Sequence, residues 1–175
     1  MYLGLEILRM TRALWDMYNK SGKTHMRLGN LAEAEKMLKA ALDVGQEFGS
    51  EDPRLSISLN NLARLYLGQK RYEEAENLCS RALAIAEGQR GPGHPDVAIS
   101  LNNLAAVYRE QGQYDRAEPL YKEALAIWEK VGAKNPRGLA TTLENYATLL
   151  RKTNRHAEAD AMESRAKGLV QKPTA

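Results

Sequence analysis

The chain has a single cysteine, Cys79, in 175 residues, so no disulfide can form within it. That excludes the small disulfide-stapled secreted folds and fits a reducing compartment, which points to the cytoplasm. Histidine is also scarce. His25, His94 and His156 lie far apart, and no Cys/His ligand spacing appears, so no metal or cofactor is expected. No apolar run approaches the ~18 residues a membrane-spanning helix needs. Aromatics make up 6% and the net charge is only +3. A nucleic-acid surface would show a stronger basic excess and exposed aromatic platforms. The N-terminus, MYLGLEILRMTRAL, is apolar but lacks a basic leader region, and Glu6, Arg9 and Arg12 interrupt it. An amphipathic helix fits it better than a secretory signal.

What the chain does have is self-similarity. LNNLARLYLGQKRYEEAENLCSRALAI begins at Leu59, and LNNLAAVYREQGQYDRAEPLYKEALAI begins 42 residues later at Leu101, with 15 of 27 positions identical. A further 42 residues on, Leu143 opens a third copy, and 41 residues before Leu59, Tyr18 opens another. A fixed period of this size marks a stack of units that cannot bury their faces alone.

Each unit reads as two helices. Leu59, Leu62, Ala63 and Tyr66 form one apolar stripe at helical period, repeated by Leu101, Leu104, Ala105 and Tyr108 and by Leu143, Tyr146, Ala147 and Leu150. Small residues recur at Gly22, Ala63, Ala105 and Ala147, and again at Ala34, Ala75, Ala117 and Ala159. They let helix axes approach to about 8–10 Å. Asp52-Pro53, His94-Pro95 and Asn135-Pro136 each precede a first helix; Asp52 and Asn135 suit the N-cap and proline the first helical position. The pattern predicts helices over about 13–28, 31–48, 53–68, 71–89, 95–110, 113–131, 137–152 and 155–169. It divides the chain into a capping segment (1–12), repeats over about 13–52, 53–94, 95–135 and 136–170, and a frayed tail (171–175).

The small-residue pattern resembles the tetratricopeptide repeat, whose usual unit is about 34 residues. The 42-residue period and the phrases LNNLA, YDRAEPLYKEALAI and GPGHPDVA resemble its kinesin-light-chain type. The likeness runs from about Trp15 to Leu169, is strong in the second and third repeats, and fades in the first, where Ser21 and His25 stand in place of Leu62 and Tyr66. The resemblance implies an all-α, right-handed superhelical solenoid of antiparallel helix pairs in four repeats. It also implies a non-enzymatic module that binds another protein.

One stretch invites a different chemistry. NKSGKTH, Asn19 to His25, contains the Gly-Lys-Thr that ends a phosphate-binding loop. That motif needs a second glycine five residues earlier, between a strand and a helix. Met17 stands there, and the flanks keep the helical register, so Gly22 reads as a helix-crossing residue. Acidic pairs such as Glu73-Glu74 open second helices, where they favour the helix dipole. Cys79 lies beside Leu78 and reads as a packed side chain with no base partner.

The face opposite the apolar stripe of the first helices is the candidate binding groove. Its residues are Asn19, Lys23, Asn60, Asn61, Arg64, Asn102, Asn103, Arg109, Asn145 and Arg151. Asparagine is a mediocre helix former, so its recurrence asks for a reason. Its amide both donates and accepts, which suits either the main chain of a bound peptide or a neighbouring helix. The resemblance favours the peptide. Lys20, Arg27 and Lys152 add to Lys23, Arg64, Arg109 and Arg151 against Asp16, Glu110 and Glu144, which predicts an acidic segment as partner. The alternative is a self-assembling scaffold, a homo-oligomer formed through the end repeats or the N-terminal apolar segment.

Overall fold

The computed structural model describes residues 2–50, 52–131 and 135–170, with side-chain surroundings for 6–50, 52–131 and 135–169. The tail read as frayed, 171–175, lies outside the described residues. Within them the chain is all α, in the order α1 (Tyr2–Arg27), α2 (Leu31–Gln46), α3 (Pro53–Gly68), α4 (Tyr72–Arg90), α5 (Pro95–Glu110), α6 (Tyr114–Val131), α7 (Pro136–Lys152) and α8 (His156–Val170). The helix ends agree with the periodicity to within two residues, with one exception. α1 begins at Tyr2 rather than near residue 13, so residues 2–12 continue the first helix without a break. No proline interrupts them, and Leu, Glu, Arg and Met are good helix formers.

The starts and stops have a chemical logic. Asp52 and Asn135 accept from the backbone N–H of Arg54 and Gly138, each ahead of a proline. His94 does the same for Asp96 with its ring nitrogen Nδ1, a role its sequence context left open. Within each hairpin, the turn between helices holds a residue at positive φ at one repeat position: Gly29 (77°), Lys70 (61°), Gly112 (77°) and Asn154 (60°). The next N–H in each case reaches back to the last turn of the first helix: Asn30 to His25, Arg71 to Tyr66, Gln113 to Tyr108 and Arg155 to Leu150. These bonds occupy carbonyls that a helix end would otherwise leave unpaired.

The chain forms two compact units, Met1–Gln89 and Arg90–Ala175. In the first, α1 packs on α2 and α3, and α2 on α3. Gly22 is a close-packing residue, since a Cβ there would come within 2.6 Å of the Leu38 side chain. The expected stripe of Leu59, Leu62, Ala63 and Tyr66 is buried. In the second unit, α5 packs on α6 and α7, α6 on α7, and α7 on α8. Tyr121 and Trp128 are the largest fully buried side chains there.

Candidate functional site

The first helices carry the candidate face, and the two units are described in turn. In the first unit, the asparagines are structural. Asn19 and Asn61 are buried, and Asn61 Nδ2 donates to Asn19 Oδ1 at 2.9 Å, tying α3 to α1. Asn19 Nδ2 donates to the Trp15 carbonyl at 3.1 Å and to Ser58 Oγ at 3.4 Å. Ser58 Oγ in turn accepts the Trp15 indole N–H at 2.8 Å. Asn60 is buried and bonded as well.

The second unit repeats the device. Asn145 Nδ2 donates to Asn102 Oδ1 at 3.0 Å, joining α7 to α5, while Asn102 and Asn103 are buried. Of the two readings for these amides, the structure gives Asn19, Asn61, Asn102 and Asn145 the bond to a neighbouring helix. A buried, unpaired amide is costly, and facing amides on adjacent helices satisfy each other.

The basic residues divide. In the second unit Arg109 is only 11% exposed; its guanidinium donates to Glu110, to the Tyr121 hydroxyl at 3.3 Å and to the Asn145 carbonyl at 3.2 Å. Arg151 turns to α8, with Asp160 at 2.7 Å and Glu163 at 2.9 Å. Both charges, expected in the groove, are thus largely matched within the unit. In the first unit Lys20, Lys23, Arg27 and Arg64 are exposed and form no ion pair with any described residue. Lys23 and Arg64 occupy equivalent repeat positions, one turn beyond the Asn19–Asn61 bond, on corresponding faces of α1 and α3. Ile57, one turn before Asn61 on α3, is 38% exposed. The result is a set of exposed cations on α1 and α3, with Asp16 exposed one turn before Lys20 and Ile57 exposed on α3.

Each unit also holds a half-buried carboxylate, Glu35 in the first with its side chain 21% exposed and Glu118 in the second at 23%. In the first, Glu35 accepts from Lys39 at 2.7 Å, Arg71 at 3.0 Å and the Tyr66 hydroxyl at 3.1 Å. The Lys39 bond leads, opposed by burial and helped by Arg71 and Tyr66, and the carboxyl is lowered from 4.5 to about 2. In the second, Glu118 accepts from Lys122, Arg155 and the Tyr146 hydroxyl, each at 2.8 Å. Burial opposes ionisation most strongly there, yet those bonds together bring Glu118 to about 2 as well. Sequence reading missed both clusters, because the tyrosine and arginine of each come from the next repeat. Burial pushes the Cys79 thiol up to about 12, in keeping with a packed side chain. Among the described residues no helix is long and apolar enough to cross a membrane.

Comparison with known proteins agrees with the repeat architecture. The tetratricopeptide repeat model matches residues 16–87, 60–130 and 96–172. The crystal structure of BtubC (BKLC) from P. vanneervenii is similar at a TM-score of 0.75 and 25% identity, over 94% of this chain and 68% of that one. A putative kinesin light chain with nearly identical TPR-like repeats from Podosopora anserina, in its Q17M form, gives 0.66 at 22% identity, over 89% and 74%. Aspartyl phosphate phosphatase F from Bacillus subtilis gives 0.72 at 19% identity, over 90% of this chain and 40% of that one. At those lower identities the last two speak for the fold alone.

Proposed function

Because the chain belongs to the tetratricopeptide-repeat family, whose repeats generally mediate protein–protein interaction, we propose that it binds an acidic segment of another protein along α1 and α3 of the first unit. One observation carries this reading: Lys20, Lys23, Arg27 and Arg64 are exposed and unmatched beside Ile57. A cluster of one sign raises the local concentration of an oppositely charged partner and orients its approach. Each exposed pair contributes only about 0.2–1 kcal/mol, so several must act together. The Asn19–Asn61 bond ties α1 to α3 one turn from Lys23 and Arg64, which supports a shared surface. The role is non-enzymatic, and a chain with one buried, unoxidised cysteine suits the cytoplasm.

Fluorescence polarisation with a short labelled Glu/Asp-rich peptide, and a Lys-rich control, tests the reading. Lys23→Glu with Arg64→Glu should weaken acidic-peptide binding about tenfold or more. Added salt should weaken it further, and the melting temperature should stay put. Equal affinity before and after the double change would remove the proposal.

A second reading, self-association, is favoured by a different observation. Apolar side chains along the first half of α1 stay exposed: Ile7, Leu8, Met10, Leu14 and Met17.

A further inference from the structure

We infer that α1 carries a self-complementary seam through which two copies of this chain pair antiparallel, each covering the bare side of the other's first hairpin. The inference rests on the self-association reading and gives it a geometry. Ile7, Met10, Leu14 and Met17 follow the alternating steps of three and four residues that make a coiled-coil seam. They are 59%, 72%, 38% and 53% exposed. Trp15, Asn19 and Gly22 turn another side of α1 toward α2 and α3. At 100° per residue, the seam points roughly 125° away from that side.

The repeat equivalents show what this side of a first helix does elsewhere. Leu14 stands 41 residues before Leu55, and Met17 stands 41 before Ser58. Both equivalents are buried. Leu55 lies near Gly45 of α2, and Ser58 bonds the Ala41 carbonyl at 3.4 Å and the Trp15 indole. In α3 the preceding hairpin covers these positions; in α1 they are bare.

The length of α1 supplies the cover. α3 begins at Pro53, the equivalent of residue 12, so residues 2–11 of α1 have no counterpart in it. Ten helical residues reach ~15 Å. Paired antiparallel about a two-fold axis near residue 12, this overhang lies on the bare side of the second copy. Ile7 then meets Met17 and Met10 meets Leu14, each contact occurring twice. Glu6 and Lys20 both sit just before a seam position of the heptad, at Ile7 and Ser21. In antiparallel pairs such flanking positions face each other, so Glu6 lies beside Lys20 of the second copy at both ends of the seam. Neither has an ion pair with a described residue of its own chain. A parallel pair would set Glu6 beside Thr11 and Lys20 beside His25, with no opposite charges matched. Charge therefore selects both the partner and the direction.

Light scattering coupled to size exclusion on the full chain, over a wide concentration range, is the test. The mass should rise from one chain toward two. Met10→Glu with Leu14→Glu should hold it at one chain, with an unchanged circular-dichroism melt because both side chains are exposed. Glu6→Lys alone should raise the dimer dissociation constant about fivefold or more. Glu6→Lys with Lys20→Glu should restore it. A single-chain mass at every concentration would overturn the pairing and self-association together. A dimer that survives Met10→Glu with Leu14→Glu would overturn this pairing alone. A seam-dependent dimer that the double charge reversal fails to restore would overturn the antiparallel register.

Discussion

Where α1 meets α3 in the first unit and α6 meets α7 in the second, equivalent hydroxyls are served by indoles from different helices. Ser58 accepts from Trp15, which belongs to the first helix of its hairpin. Thr142, 84 residues after Ser58, accepts at 3.1 Å from Trp128, which belongs to a second helix. The space is exchanged along with the ring. Gly45 stands at the position equivalent to Trp128, and Ala98 stands at the position equivalent to Trp15. The tyrosine on each half-buried glutamate moves in the same way. Tyr66 bonds Glu35 with Leu62 one turn before it, whereas Tyr146 bonds Glu118 with Leu150 one turn after it. What is kept between the units is a bond and a filled volume, while the position that supplies them is free to shift.

The largest test of that equivalence removes the rings. Trp15→Ala and Trp128→Ala should each cost about 3–5 kcal/mol in chemical denaturation, since each empties a packed site and leaves a hydroxyl without its donor. A loss below about 1 kcal/mol at either site would break the comparison. It can also be sharpened. A Cβ at Gly138 would come within 2.7 Å of Trp128, and Arg54 is the equivalent of Gly138. Trp15→Ala with Gly45→Trp and Arg54→Gly copies the second arrangement into the first, and should regain part of what Trp15→Ala loses.

Acid comes next in size. Glu35 and Glu118 are held at about 2 in the folded chain, below the ordinary 4.5. Their contribution to stability is therefore complete above about 4.5 and is lost as pH falls toward 2. Glu35→Gln and Glu118→Gln should each lower the melting temperature near neutral pH and flatten its fall in that window. A Glu35→Gln chain with the full acid slope would show that the two clusters are not equivalent.

The smallest effect lies in the turns. Lys70 holds the positive φ that Gly29 and Gly112 hold without steric cost. Lys70→Gly should gain about 1 kcal/mol, and Gly112→Lys should lose a similar amount, by thermal melting. No change at either position would mean that the turn residue is immaterial.

The period of the repeat made most of the architecture readable. Identity at LNNLA fixed the register, the proline pairs marked three helix starts, and Gly22 declared itself by aligning with Ala63. The candidate site was readable only in part. Periodicity tells which side of one helix a residue occupies, and it says nothing about what faces it from the next. Asn61 looked outward until Asn19 was found opposite, and Arg151 looked unpaired because Asp160 and Glu163 come from α8. A helix was expected over the N-terminal stretch, but its unbroken run into the first repeat was not, since no other repeat has an equivalent of residues 2–11 to align with it.

The exchanged indoles also give the molecule built-in optical labels. The sequence has two tryptophans, and each unit holds one, buried and hydrogen-bonded to a hydroxyl. A Trp15→Phe chain emits from the second unit only, and a Trp128→Phe chain from the first only. Denaturation followed by fluorescence then reads each half of the fold by its own light. Coincident curves would mark one cooperative transition, and separated curves would give the stability of each unit without cutting the chain.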